Sequence, residues 1–419
     1  MSQSTLSKKL ASVKPGTLFV GVDLGLDRNA AVVMDERAKR LDRFWFNNDL
    51  DGYEYFDRRL RKVKEKHQAP AVLVGMEPTN YFWKLLAADL EERQMEYRLV
   101  NPYTVKKHRE GDQLDRSKDD PRDAFVIADL LRTGKYTETR LLHGQYAELR
   151  EYVTSRERLL RDLRRQKTLI DNIVGRLFPE LGREFKNLTG KTALAMLSSH
   201  AAASVIQQLP LEEFITDVRS VFKGKRLMVS KLARVHALAG SSVGLKDGVQ
   251  ALQLALDHHI ETLEHLQRQL EQVEEALIEV FLAMPEAEYM LSVHGLGTIT
   301  AATILSEIGD PSHFSQAKQL IKLAGTQPVP NTSGRKSSSK TPMSHKGRPR
   351  LRTALFFAAM RLVQFDDAFA RHYQQLQTRD KNPLCKMQAL GALMNKLLRI
   401  LWALMRKRTF YVPDFEHAI

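Results

Sequence analysis

The sequence predicts an α/β plus α chain: a mixed sheet domain, then long coiled-coil helices, then a mainly helical C-terminal domain. Three observations carry that prediction. Short apolar runs closing on Gly, Asn or an acid alternate with helical periodicities through residue 140. Apolar residues at heptad spacing then fill two long stretches, and broad apolar helical faces follow Pro285. At 419 residues the chain exceeds one typical core, and the divisions fall at 1–140, 141–284 and 285–419.

Thr17–Gly25 reads as a buried strand ending in a glycine turn, with Ala30–Met34 as its hairpin partner. Asp23 lies inside the first apolar run, where a carboxylate stays ionised only if it is hydrogen-bonded, paired or metal-bound. The Val-Asp-Leu-Gly pattern is shared with phosphate-binding strands of actin-like ATPases and sugar kinases, but their further phosphate loops are missing here. Leu50–His67 follows as a helix, and Ala71–Met76 as a second buried strand closing on Glu77 and Pro78. Tyr81, Phe82, Leu85 and Leu86 form the core face of the next helix. The strand Tyr97–Val100 then runs into Asn101-Pro102 and a basic patch of Lys106, Lys107, His108 and Arg109.

In Ser117–Leu131, Phe125, Val126, Ala128 and Leu131 recur at helical spacing, and Pro121 suits a first turn. Asp120 and Asp123 therefore share one face at the start of a helix. Two carboxylates so close repel each other unless a cation lies between them, and a hard ion such as magnesium, or manganese in its place, takes oxygen ligands. Each acid also has a plainer reading: Asp23 as a strand-end acceptor, Glu77 as a helix-start acid, the aspartates as macrodipole partners. Together, the fold can bring all four to one sheet edge, where phosphate and metal sites form.

From Leu149, the residues Val153, Leu160, Leu163, Ile170, Val174 and Leu177 step along one helix face, interrupted by Arg156 and Lys167. A second series, Leu252 to Met284, alternates steps of three and four, with His259 as a polar seam member that sets register or lies at a solvent edge. Such a helix runs about 50 Å and needs a partner, in this chain or in another copy. The intervening 180–248 is Ala-, Leu- and Ser-rich with a basic cluster, Lys223 to Arg234. Gly295-Leu-Gly297 resembles a helix-hairpin-helix turn, in which backbone N–H groups approach a phosphate.

The formal net charge is +14, which favours a polyanionic partner, with DNA or RNA ahead of a membrane surface. No apolar run approaches a spanning helix, and Met1–Gly16 has no apolar signal core. Cys385 is the sole cysteine, which excludes an intramolecular disulfide and fits a reducing cytoplasm. In Thr326–Arg352, seven cations, Arg335, Lys336, Lys340, Lys346, Arg348, Arg350 and Arg352, stand without a carboxylate in the segment. This stretch builds no core of its own and is expected to order on a phosphate backbone, a solvated linker being the alternative.

These motifs together resemble the DEDD transposases, or recombinases, of bacterial insertion sequences that are guided by a bridge RNA. The likeness covers nearly the whole chain: Gly21-Val-Asp23, Met76-Glu77-Pro78, Asn101-Pro102 and Lys118–Ala124 in the first half; Gly295-Leu-Gly297, Ile308–Phe314, Ala324-Gly325, Ser333-Gly334 and Ser344–Gly347 in the second. Asp119 departs from the pattern, standing where a Ser or Thr is usual and rivalling Asp120; His294 and Arg348 replace a common proline and asparagine. The resemblance implies a ribonuclease-H-like domain similar to Holliday-junction resolvases, with magnesium on Asp23, Glu77, Asp120 and Asp123. It implies Ser333 as nucleophile on DNA phosphodiesters; by position alone, Ser337, Ser338, Ser339 and Ser344 close by are alternatives. A structured non-coding guide RNA and a homo-oligomer, dimer or tetramer, follow as partners. Backbone contacts are expected from Lys106, Lys107, Arg109, Lys118 and Arg122, and from Arg335, Lys336, Lys346, Arg348, Arg350 and Arg352. The competing readings are a junction-resolving endonuclease that uses the same acids with water as nucleophile, and a catalytically idle RNA-binding scaffold.

Overall fold

The computed structural model describes residues 7, 9–79, 81–112, 120–137, 141–329, 332–333, 336–337 and 342–413, with the side chains of 109–112, 120, 332–333 and 336–337 excepted. They form two compact units, Met1–Leu142 and His143–Ile419.

In the first unit, β1 (Leu18–Asp23), β2 (Arg28–Met34) and β3 (Arg40–Asn47) form an antiparallel meander. After α1 (Leu50–Lys66), β4 (Val72–Met76) adds parallel to β1. After α2 (Phe82–Glu92), β5 (Glu96–Leu99) adds parallel to β4, giving the order β3-β2-β1-β4-β5. This is the ribonuclease-H-like mixed sheet that the resemblance implied. The strand β3 was not read from the sequence, although Phe44 and Phe46 alternate inward while Trp45 points out. Both phenylalanines pack on Phe56 of α1, with the Phe46 and Phe56 rings 4.5 Å apart.

The sheet is covered on both faces. Val20, Val22, Val74 and Met76 pack with Phe56 and Leu60 of α1 and Leu86 and Leu90 of α2. On the other face, Phe19 and Leu73 meet Val126, Ile127, Leu130 and Leu131 of α4 (Asp120–Arg132), which follows α3 (Pro102–Asp112). Burial on both sides explains why the central strands read as continuous apolar runs.

The second unit is built on α5 (Gly144–Leu177) and α10 (Val249–Leu282). Arg156 pairs with Glu274 at 2.7 Å, and Gln166 meets His259 at 2.9 Å, so one helix descends as the other rises. The heptads therefore find their partner within the chain, and the polar residues that interrupt the seams, Arg156 and His259, bond across it. One end of this pair is wrapped by α6 (Lys191–Ser199), α7 (Ala203–Ile206), α8 (Leu211–Val221) and α9 (Val229–Ala239), around Phe178, Met196, Phe214 and Leu232. The other end joins α11 (Glu286–Leu291), α12 (Thr298–Ile308), α13 (Ala317–Ala324), α14 (Pro349–Phe365), α15 (Asp367–Thr378) and α16 (Lys386–Lys407), around Phe281, Leu305, Leu355 and Leu397.

Candidate functional site

The acidic edge of the first unit follows from strand register. Val22 of β1 pairs with Met76 of β4 in parallel, so the next positions outward are Asp23 and Glu77, on neighbouring strands about 4.8 Å apart. Val20, Val22, Val74 and Met76 point to the α1 and α2 side, so Gly21 and Gly75 point to α4, and so by alternation does Asp23, the last residue of β1, while Glu77 follows directly on the end of β4. Both acids are half-buried.

Helix α4 lies directly on the glycines. A Cβ on Gly21 would fall 1.9 Å from the Ala124 carbonyl oxygen and 2.5 Å from the Ala128 nitrogen, and one on Gly75 would strike Leu131 at 2.4 Å. Ala124 also packs with Ala30, the residue that Asp23 pairs with in the hairpin. The first turn of α4 is thereby fixed at the Asp23 end of the sheet, and Asp123, 6% exposed, sits in that turn. Asp120 opens the same helix, but its side chain lies outside the described residues, as do Asp119 and Lys118. Among the described residues no three His, Cys, Asp or Glu side chains are grouped closely enough to hold a metal ion. The donor set is nonetheless all oxygen, the chemistry that suits a hard divalent cation.

Of the cations expected beside this edge, Lys106 and Lys107 stand exposed on α3, Lys107 lying 5.1 Å from the Tyr103 ring. His108 Nε2 meets Asp129 of α4 at 3.0 Å and ties the two helices together. Arg122 is half-buried on α4, and the side chain of Arg109 lies outside the described residues.

In the second unit, the basic segment after α13 is a ladder. The Val329 N–H donates to the Pro342 carbonyl and the Ser344 N–H to that of Gln327, with Pro328 bridged to Met343. Beyond this, β6 (Thr332–Ser333) pairs with β7 (Lys336–Ser337), Ser333 opposite Lys336, which leaves two residues between the strands. Ser333 is thus the last paired residue before the end of the hairpin. The side chains of Ser333 and Lys336, and the whole of Arg335, lie outside the described residues. A glycine at the first position between such strands is a hairpin signal that the sequence does carry, at Gly334.

The base of this arm is anchored in the helical core. Thr326, buried, donates its hydroxyl to Asn395 of α16 at 2.6 Å, and Asn395 donates back to the Thr326 carbonyl. Gly347 crosses Gly325 so closely that a Cβ there would sit 2.3 Å from the Gly325 nitrogen. Arg352 donates to the Ala324 carbonyl at 3.0 Å. Lys346 is exposed.

Arg348 and Arg350 have occupations the sequence did not disclose. Both pair with Glu307, a buried acid near the end of α12, with Arg350 Nη1 at 3.0 Å and Arg348 at 3.7 Å. Arg350 also reaches Glu157 of α5 at 2.8 Å. Arg150 of α5 and Arg348 both donate to the Glu307 carbonyl, and Arg150 to that of Ser306, so guanidinium groups cap the negative end of the α12 dipole. Burial, with Arg348 and Arg350 nearby, pushes the Arg150 pKa down to about 10, and burial likewise lowers that of Arg348. The carboxylates absent from the segment itself arrive from α12 and α5. Glu307 carried a signal, an acid set in the apolar run around Ile304, Leu305 and Ile308.

A ribonuclease-H-like sheet with an acidic edge, in one chain with a basic serine-bearing hairpin on a helical scaffold, defines a DNA transposase or recombinase. Residues 20–179 match a family model described as Transposase, of the DEDD type, and residues 287–374 match one described as Transposase IS116/IS110/IS902 family. Both matches make the chain similar to the IS110-type insertion-sequence transposases. It is 25% identical to the Insertion element IS116 uncharacterized 44.8 kDa protein of Streptomyces clavuligerus, over 96% of this chain and 98% of that one. It is 25% identical to the Mini-circle putative transposase for IS117 of Streptomyces coelicolor, over 76% and 78%. With the Pilin gene-inverting protein of Moraxella lacunata it shares 29% identity over 35% of this chain and 46% of the relative. The DEDD class points to dependence on a divalent metal. No helix among the described residues is long and apolar enough to cross a membrane.

Proposed function

We propose that this transposase cleaves and rejoins DNA strands to excise and insert its own element, through a covalent phosphoserine at Ser333, with target and donor choice residing in a bound structured RNA. The observation that carries the acidic half of the reading is the β1–β4 register, which brings the end of β1 at Asp23, on the face that α4 covers, level with the end of β4 before Glu77, with Asp123 in the first turn of α4. Asp23, Glu77, Asp120 and Asp123 would hold magnesium, or manganese. Once bound, the cation supplies charge neutralisation at the attacked phosphate and at the departing oxygen.

The chain's own residues do the rest. The Ser333 hydroxyl oxygen attacks phosphorus and gives up its proton; the bond to one sugar oxygen breaks, and that oxygen leaves as a hydroxyl after taking a proton. The phosphoserine conserves the energy of the broken bond, so a sugar hydroxyl of another strand can attack it, restore a phosphodiester and release the serine. Lys106, Lys107, Arg109, Lys118 and Arg122 on one unit, with Arg335, Lys336 and Lys346 on the other, are assigned to the phosphate backbone. Arg348, Arg350 and Arg352 support the hairpin from its base, and any backbone contact they make is in addition to that duty.

Ser333→Ala is the test. The expected result is loss of both strand joining and any protein-DNA adduct resistant to denaturant. Cleavage that persists without an adduct would instead support the junction-resolving endonuclease, in which water attacks and the serine only touches phosphate.

A further inference from the structure

The first unit carries a second concave, cationic feature away from its acidic edge. A cleft of about 410 Å³ opens at the opposite ends of the same strands, where Leu18, Val72 and Glu96 begin β1, β4 and β5, with Thr17, Val72 and Glu96 in its wall. The six residues of β1 separate it from Asp23 by about 16 Å. Its lining holds Lys14, Arg61, Lys64, Arg93 and Arg98 against one acid, Glu96.

Three of these cations are engaged. Arg61 pairs with Asp57 at 2.9 Å, Arg93 with Asp89 at 2.8 Å, and Arg98 with Glu96 at 3.4 Å. Among the described residues, Lys14 and Lys64 have no carboxylate within ion-pair distance. Lys14 is exposed on the segment entering β1, and Lys64 is half-buried in the last turn of α1, on another wall of the cleft. The one aromatic ring in the lining, Tyr136, is buried and faced by Lys9 at 4.5 Å and Arg98 at 5.8 Å, so it offers no surface on which a base could stack. Charge without a stacking platform suits the sugar-phosphate chain and not the bases.

We infer that this cleft is a sequence-independent binding site for a nucleic-acid phosphodiester backbone, gripped by Lys14 and Lys64 and separate from the acidic edge. The inference rests on the chain acting on nucleic acid, and the test separates the two. Full-length protein and its Lys14→Gln/Lys64→Gln form are titrated with a duplex DNA and, separately, with a hairpin RNA of equal length, between 50 and 200 mM salt. Each lost phosphate contact removes about 0.9 from the logarithmic salt slope, so losing two makes the variant's affinity fall about 12-fold less than wild type over this range. A reduced slope on DNA alone, on RNA alone or on both supports the site and names its occupant. Lys14→Arg/Lys64→Arg should keep the wild-type slope. Equal slopes for wild type and the glutamine variant on both probes overturn the cleft while leaving the transposase reading intact; failure of the wild-type chain to bind either probe overturns both.

Discussion

Replacing Glu307 with glutamine should strip the counter-charge from a cluster of guanidinium groups while keeping the volume and an acceptor oxygen. The carboxylate is 5% exposed and lies 3.0 Å from Arg350 and 3.7 Å from Arg348. At an effective dielectric of about 20, one unit-charge contact near 4 Å is worth about 4 kcal/mol. Removing one partner of a buried pair costs about 3–5 kcal/mol because the other is left buried and unanswered. The expected loss is thus about 3–5 kcal/mol, a large part of the 5–15 kcal/mol or so that ordinarily holds a domain together. Urea denaturation followed by helical circular dichroism measures it. Adding Arg350→Gln to the variant should recover part of the loss, since the orphaned charge goes with it. The pH trend has a definite sign. Arg150 is a base whose folded pKa, about 10, lies below its ordinary value, so its unfavourable charge is present at neutral pH and relieved as pH rises toward that value. Glu307 holds that pKa up, so the variant sheds the Arg150 charge at a lower pH than wild type does, and the gap between the two should narrow as pH rises to about 10. A loss below about 1 kcal/mol, the size of an exposed pair, would refute the claim that this cluster holds the hairpin's base.

Gly21→Ala puts a methyl group into the backbone of α4, which has no flexible end to move aside; a loss of about 3 kcal/mol, read as a lower melting temperature, is expected. The two hydrogen bonds from Arg59 hold the Asp42 carboxyl below its ordinary range, so the stability they give is present above about pH 4 and lost as pH falls through the lowered value. Urea midpoints between about pH 5 and 3 should drop for wild type and less for Arg59→Ala, the difference amounting to about 1 kcal/mol. Asp123→Asn should lower strand cleavage by about 100-fold or more at saturating magnesium while leaving DNA affinity in a binding titration near wild type; cleavage at the wild-type rate would remove Asp123 from the acids.

Where periodicity was long, the sequence was legible: both 34-residue helices, with α1 and α16, follow from their apolar spacing. Burial on both faces marked β1 and β4 as continuous apolar runs, and an acid closing each run marked the candidate edge. The strand β3 escaped because its alternation rests on two phenylalanines among charged residues. Charge counting along Thr326–Arg352 missed the hairpin and the buried arginines, because Glu307 and Glu157 approach from helices remote in the chain. Which helix end lies over Asp23 was equally unreadable, since it depends on two glycines admitting α4 to the sheet.

The antiparallel pairing of α5 with α10 has a mechanical consequence. Between Val153 and Leu163 on one helix, and between Leu263 and Leu277 on the other, no residue is fully buried, so only the two-helix seam connects the core at one end with the core at the other. The pair acts as an axle of set length and phase. One residue inserted in a single helix turns everything beyond it by about 100°, whereas seven added to both lengthen the axle by about 10 Å with the seam still in step. A grip that rotates the end wrapped by α6 to α9 must then rotate the end that carries the serine hairpin.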